Sequence, residues 1–192
     1  DPAAFSADKV LWEFSGADDK DMGYLTQAPR ILKFRTAAAT RIGAATYGWF
    51  AVVPSGFNNA NSEKRAALFL LSLDKPAAAA WALGVNYHKI VLPRPTDSTL
   101  VNALSTPDDY AAADGATRFL YAGDTQGNLW KFDFTGNAPW SKDNALGLNK
   151  QPLMVAMDGS SADARRQPIT VAPEVGVGPD GGAIVLFGTG KF

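Results

Sequence analysis

Few side chains in this 192-residue sequence could do chemistry, and their spacing limits what they could do. One histidine is present, His88, followed by Lys89 and the apolar run Ile90-Val91-Leu92. A hydrolytic triad needs a serine and a carboxylate held around such a base. Nothing in the sequence places a serine beside His88, so a surface or packing role is expected. Cysteine is absent, which removes disulfides, zinc–thiolate sites and cysteine nucleophiles together. The patterns HExxH, GxSxG, GxxxxGK[ST] and CxxC do not occur either. A metal site built on several histidines is excluded by count.

Two acidic clusters remain. Asp18, Asp19 and Asp21 lie in GADDKDMGY, and Asp108, Asp109 and Asp114 lie in PDDYAAADGATR. Calcium takes about six to eight oxygens, which a contiguous loop usually supplies as D-x-[DN]-x-D-G. Lys20 interrupts the first cluster, and Ala111, Ala112 and Ala113 stand where the second would need ligands. Both are expected to be solvated acidic loops. Glycoside cleavage would need two carboxylates ~5–10 Å apart across a cleft, and no pair stands out. No catalytic, cofactor-binding or metal-ligating residue is assigned. Asp108, Asp109 and Asp114 are the remaining metal candidates.

Composition narrows the classes further. The hydrophobic share is 46% and the charged share 19%, an ordinary globular balance. Net charge is −1, with no block of Lys or Arg able to hold phosphates, so nucleic acid is not an expected partner. No apolar run approaches the ~20 residues needed to span a membrane.

The elements that must carry these residues read as short strands. In Arg118 to Gly136, RFLYAGDTQGNLWKFDFTG, an apolar run stops at Gly123-Asp124 and a second begins at Leu129. Trp130, Phe132 and Phe134 alternate with Lys131 and Asp133, the period-two pattern of a half-buried strand. The stretch is expected to be a hairpin, with Gly123, Gly127 and Asn128 supplying unusual backbone angles in its loop. A second strand is expected over Lys9 to Ser15. Its tetrad Leu11-Trp12-Glu13-Phe14 matches Leu129-Trp130-Lys131-Phe132, and Leu68-Phe69-Leu70-Leu71 is a third copy. The copies start at 11, 68 and 129, giving spacings of 57 and 61 residues.

Ala-Pro pairs precede apolar strands at Ala28-Pro29-Arg30-Ile31 and Ala172-Pro173-Glu174-Val175. Short strands recurring at this period are a propeller signature, favoured here over a β-sandwich. The expected fold is all-β: a partial, open or irregular β-propeller of about three antiparallel blades with long connecting loops. A closed ring takes ~4–8 blades. The sequence also opens and closes in mid-element, so residues 1–192 are expected to be one propeller segment of a longer chain. A short helix is expected over Lys75 to Leu83, and polar loops over 96–117 and 135–151.

These residues resemble a family. Tyr121 to Asp133, YAGDTQGNLWKFD, is similar to the YAGDxQGNLWKFD blade motif of the PilY/PilC β-propeller proteins of type IV pili. Asp21-Met22-Gly23-Tyr24 with Gln27-Ala28-Pro29 resembles the DLGY…QP segment of that family. Trp49 to Asn59, WFAVVPSGFNN, resembles its WxxxFGNGYN turn, with Pro54, Ser55 and Phe57 as departures. Gln167 to Val175 and Phe187 to Phe192 resemble QPITAAPEV and FGTGKY.

The resemblance implies a non-enzymatic module of pilus biogenesis and adhesion that counters retraction. It implies an exported chain at the outer membrane, cell surface or pilus tip. Its partners would be pilins or pilus assembly proteins, host surface receptors, and the remaining propeller blades of the parent chain. Relatives carry calcium in a loop just before YAGD. Here the corresponding positions fall on Tyr110, Ala112, Asp114, Gly115 and Arg118, of which only Asp114 and Gly115 agree. A guanidinium repels a cation, so this degenerate loop is expected to bind no calcium in the usual way, and Arg118 is expected to pair with Asp108, Asp109 or Asp114. No cofactor is expected. Two alternatives stay open: a quinoprotein-like propeller dehydrogenase, which would need a quinone and calcium, and a purely structural scaffold for other domains of the parent.

Overall fold

A computed structural model describes residues 2–6, 9–95, 97–146, 149–160 and 165–190. Lys191 and Phe192, which end the FGTGKF motif, lie outside the described residues. Apart from a 3₁₀ turn at Pro2–Ala4 and one short helix, α1 (Lys142–Ala145), the described elements are strands. The first sheet is β1 (Arg30–Ala37), β2 (Thr46–Pro54), β3 (Ala67–Ser72) and β4 (Tyr87–Val91), antiparallel in that order. The second repeats the plan with β5 (Asp108–Ala111), β6 (Thr117–Gly123), β7 (Asn128–Asp133) and β8 (Met154–Val155). A two-stranded unit, β9 (Glu174–Val177) and β10 (Ala183–Leu186), begins a third. These are two full propeller blades and the start of another, in an arc that does not close.

Each unit opens in the same way. Strands β1, β5 and β9 begin at the residue after Pro29, Pro107 and Pro173. Proline has no N–H to give the ladder, so it marks the position just outside the sheet. The sequence pattern had shown two of these three starts. The second falls inside 96–117, where a polar loop was expected and β5 is found.

The sheets alternate with apolar layers. Phe34, Phe50, Leu68 and Leu70 of the first sheet meet Leu120, Ala122, Trp130, Phe132 and Phe134 of the second. The opposite face of the first sheet carries Ala51, Val53, Phe69 and Leu71. Strand β3 is buried on both faces, which is why its tetrad has no charge where the others have one. Each of Leu68, Phe69 and Leu70 contributes about 1.5–3 kcal/mol by leaving water. A third layer, Leu129, Ala156 and Ile169, separates the second sheet from the β9–β10 unit and includes Val185.

Phe69 and Trp130 therefore occupy matching places. Each stands on the third strand of its sheet and faces whatever precedes that sheet in the chain. Trp12 does not share that place. Residues 10–15 form no strand, and the expected strand at Lys9 to Ser15 is corrected to an irregular segment. Its alternation survives, with Trp12 and Phe14 half-buried and Leu11 and Glu13 exposed. Apolar contact imposes that pattern without a ladder: Phe14 meets Phe69 and Tyr87 edge-on, and Trp12 meets Trp81.

Two further expectations are corrected. Residues 75–83 form turns, not a helix. Lys75 is buried there, its ammonium over the ring of Trp81, and this tertiary contact outweighs the local helix propensity of the alanines. The 135–151 loop is also more than polar surface. Trp140, Ala145 and Leu146 enter the core between the sheets, where Trp140 packs against Phe34, Phe50, Phe134 and His88.

Candidate functional site

The expected hairpin forms as β6 and β7, with Ala122 opposite Trp130 and Gly123 opposite Leu129. Its loop is organised by Asp124, which is fully buried. One carboxylate oxygen accepts the backbone N–H groups of Gln126 and Asn128, both at 2.9 Å. The other accepts Asn102 Nδ2 at 2.9 Å, Asn128 Nδ2 at 2.8 Å and Trp130 Nε1 at 2.8 Å. A buried carboxylate is stable only when its lone pairs are filled in this manner. Gln126 extends the clamp, donating to Asp97 O and accepting from Asp97 N. Asn128 Oδ1 accepts from Arg166.

Of the three loop residues expected to take unusual angles, only Gly127 does, at φ 78°. Gly123 serves close approach instead, since a Cβ there would lie 2.1 Å from Ile169. Asn128 is an ordinary strand residue whose side chain is the clamp. The sequence reading passed over Asp124 as a turn residue. The signal was present, because the donors Gln126, Asn128 and Trp130 stand two, four and six residues after it.

The acidic clusters are only in part the solvated loops expected: Asp18 and Asp114 are exposed, and the other four carboxylates are not. In the first, Asp21 is buried and Asp19 nearly so. Lys89 Nζ bridges them, 2.8 Å from Asp19 and 2.7 Å from Asp21. Tyr87 donates to Asp19 at 3.0 Å, and Asn61 donates to Asp21. Burial pulls the Lys89 pKa down, but the hydrogen bonds and charges of the two carboxylates outweigh it and leave it raised. Burial first, and then the Asp19 carboxylate, push the Tyr87 phenol well above its usual range. Asp18 is exposed and accepts from the Ser15 backbone. The network ties residues 15–22 to the first sheet.

In the second cluster, Asp108 and Asp109 begin β5 and meet a guanidinium across the seam between blades. That guanidinium belongs to Arg30, at 2.5 Å and 2.9 Å, and not to Arg118 as expected. Arg118 is exposed and has no ion pair among the described residues. Asp108 also accepts the Val175 N–H, so it links all three units. Asp114 and Gly115 sit in the β5–β6 turn, apart from that pair. Asp114 accepts from Ala116 N and the Tyr47 hydroxyl, which hold its carboxyl below the usual range. Among the described residues no group of three or more His, Cys, Asp or Glu is placed to hold a metal ion.

His88 fills the packing role expected of it. It is buried against Phe50 and Trp140, and burial lowers its pKa.

Among the described residues, one apolar face open to a partner is the outer face of the first sheet. Residues 12–25 cover its β3–β4 half and leave a groove of about 390 Å³ over the rest. Phe14, Ile31, Ala51, Leu71 and Leu73 line it. Ile31 is 54% exposed, and Trp49, on the same face of β2 as Ala51, is 51% exposed. In the second sheet the corresponding face is the one buried against a four-stranded neighbour.

Comparison with known proteins agrees with this architecture. Residues 2–192 match a family model described as the PilY1 beta-propeller domain. The chain is 32% identical over 200 residues to the type IV pilus biogenesis factor PilY1 homolog of Xylella fastidiosa (strain Temecula1 / ATCC 700964), covering 100% of this chain and 12% of that protein. It is 29% identical over 206 residues to the type IV pilus biogenesis factor PilY1 of Pseudomonas aeruginosa (strain UCBPP-PA14), covering 96% of this chain and 16% of that one. Among solved structures, the Pseudomonas aeruginosa PilY1 C-terminal domain superposes with a TM-score of 0.69 at 27% identity, covering 94% of this chain and 35% of the other. The chain thus spans less than a fifth of the length of these curated relatives.

Proposed function

Because the chain belongs to the PilY1 beta-propeller family, matched over residues 2–192, we propose that it is a non-enzymatic module of type IV pilus biogenesis. It acts at the pilus or outer surface, counters retraction, and contacts pilus assembly proteins or a surface receptor. The observation that carries this reading is the match, over nearly the whole chain, to proteins named as pilus biogenesis factors. The side-chain chemistry is consistent with it. The charged networks built on Asp124, Lys89 and Arg30 serve to hold loops and blades together, and the groove beside them is apolar. Among the described residues no helix is long and apolar enough to cross a membrane. In-frame deletion of these residues from the parent gene should reduce surface pili and twitching. A deletion strain with normal piliation, twitching and adhesion would refute the proposal.

The open groove favours a second reading, in which the partner is another part of the parent chain. A sheet face that carries Phe69 and Leu71, as the second sheet carries Trp130 and Phe132, suits a further blade. Mixing this chain with the remainder of the parent should then give a complex, and absence of association would count against a scaffold role.

A further inference from the structure

A second cavity lies at the seam between the first two blades. It encloses about 110 Å³, lined by Arg35, Ala112, Asp114, Arg118, Phe134 and Thr135 among others. Arg35 comes from the end of β1, Arg118 from β6, and Thr135 from the chain leaving β7. Two guanidinium groups therefore line one small pocket. Arg118 has no ion pair among the described residues. Arg35 gives one N–H to Thr135 O, but its Nε is buried without a hydrogen-bond partner. A buried donor left unpaired is unfavourable, so an acceptor drawn to that guanidinium is favoured.

Asp114, the carboxylate in the wall, forms no ion pair with either guanidinium among the described residues, and two guanidinium groups against one carboxylate leave the lining net positive. Its oxygens are taken by Tyr47 and Ala116, and Lys33 donates to its backbone carbonyl. The small side chains of Ala112 and Ala116 leave the space open, and Phe134 supplies an apolar wall.

From this geometry we infer that the seam pocket is an oxyanion site. It takes one carboxylate or phosphate-type headgroup, bound by N–H donors of Arg118 and Arg35. Guanidinium suits this role because its planar fork donates two parallel hydrogen bonds to such groups. The ligand is either an acidic side chain of a partner protein or a free inorganic anion. Its size excludes an extended molecule. A partner's carboxylate docking here would touch both blades at once and fix their relative position.

The test is a titration of the full 192-residue chain followed by NMR of the arginine Nε–H signals. Acetate represents the protein carboxylate and inorganic phosphate the free ion, each at constant ionic strength against chloride. Saturable shifts of the Arg35 and Arg118 signals are expected, with tighter binding of acetate identifying an acidic side chain and tighter binding of phosphate a free anion. Arg118→Ala, on an exposed residue, should weaken binding at least tenfold, and Arg118→Lys should weaken it less. Arg41→Ala, outside the pocket, should leave binding unchanged. Signals unmoved by both anions, or Arg118→Ala and Arg118→Lys both titrating like the parent, would overturn the inference.

Discussion

Replacing Asp124 by asparagine tests the claim that one carboxylate holds the β6–β7 loop. The change is nearly isosteric, so it opens no cavity. The amide oxygen can still accept the N–H groups of Gln126 and Asn128. Its NH₂, however, then faces three donors: Asn102 Nδ2, Asn128 Nδ2 and Trp130 Nε1. The two asparagines cannot flip freely, because Asn102 Oδ1 accepts from Thr125 and Asn128 Oδ1 from Arg166. Each buried donor without an acceptor costs about 1–3 kcal/mol, and costs within one network are not additive. Allowing for relaxation, the expected loss is about 3–5 kcal/mol, against the ~5–15 kcal/mol that typically separates folded from unfolded chains.

With a urea m-value of about 2–3 kcal/mol/M for a chain of this size, the midpoint should fall by about 1–2.5 M. Tryptophan fluorescence and far-ultraviolet circular dichroism should give coincident transitions. Trp130→Phe removes one donor and should cost about 1–2 kcal/mol alone, but less on the Asp124→Asn background, giving a coupling of about 1 kcal/mol. A midpoint shift under ~0.3 M for Asp124→Asn, or additive single and double variants, would refute the clamp.

Lys89→Met should destabilise the chain by about 3–5 kcal/mol at pH 7, because it leaves Asp19 and Asp21 buried and facing each other. Adding Asp21→Asn should recover part of that loss in urea titrations, because one of the two stranded charges is then gone; strictly additive single and double variants would contradict the ion-pair account. His88 is held below its ordinary pKa by burial, so the unfolded chain binds a proton first as pH drops. Its contribution to stability is complete above about pH 6.5 and is lost as pH falls toward the folded value, at no more than about 1.4 kcal/mol per pH unit. As His88 is the one histidine in the chain, His88→Gln should flatten the stability profile between about pH 7 and 5, and an unchanged profile would assign that slope elsewhere. Calorimetric titration with calcium should show no micromolar site at the β5–β6 turn; a micromolar site abolished by Asp114→Ala would reverse the expectation for that loop.

The reach of the sequence depended on how local each interaction was. Period-two alternation identified β7, and Phe69 and Trp130 fell in matching places, because side-chain direction in a strand follows from neighbouring residues alone. The prolines before β1 and β9 were readable for the same reason: a missing N–H excludes its residue from a ladder regardless of the surroundings. The same alternation misled at residues 10–15, where apolar packing on Phe69 and Tyr87 reproduces the pattern of a strand without strand pairing. It also could not show that Trp140, in a stretch rich in Pro, Gly and Asn, belongs to the main core.

The sequence alone thus settled the all-β class, the repeating blades and the resemblance to a pilus-associated family. These follow from patterns that each short segment carries within itself. Only the folded arrangement decided which charges meet. Arg30 is 78 residues from Asp108 in the chain yet 2.5 Å from it in space, and Lys89 is 68 residues from Asp21 and 2.7 Å away. Ion pairing depends on distance through space, which stacking of the sheets sets and spacing along the chain does not record. Two acidic runs that look solvated in isolation therefore became a fastening at the first sheet and a seam between blades.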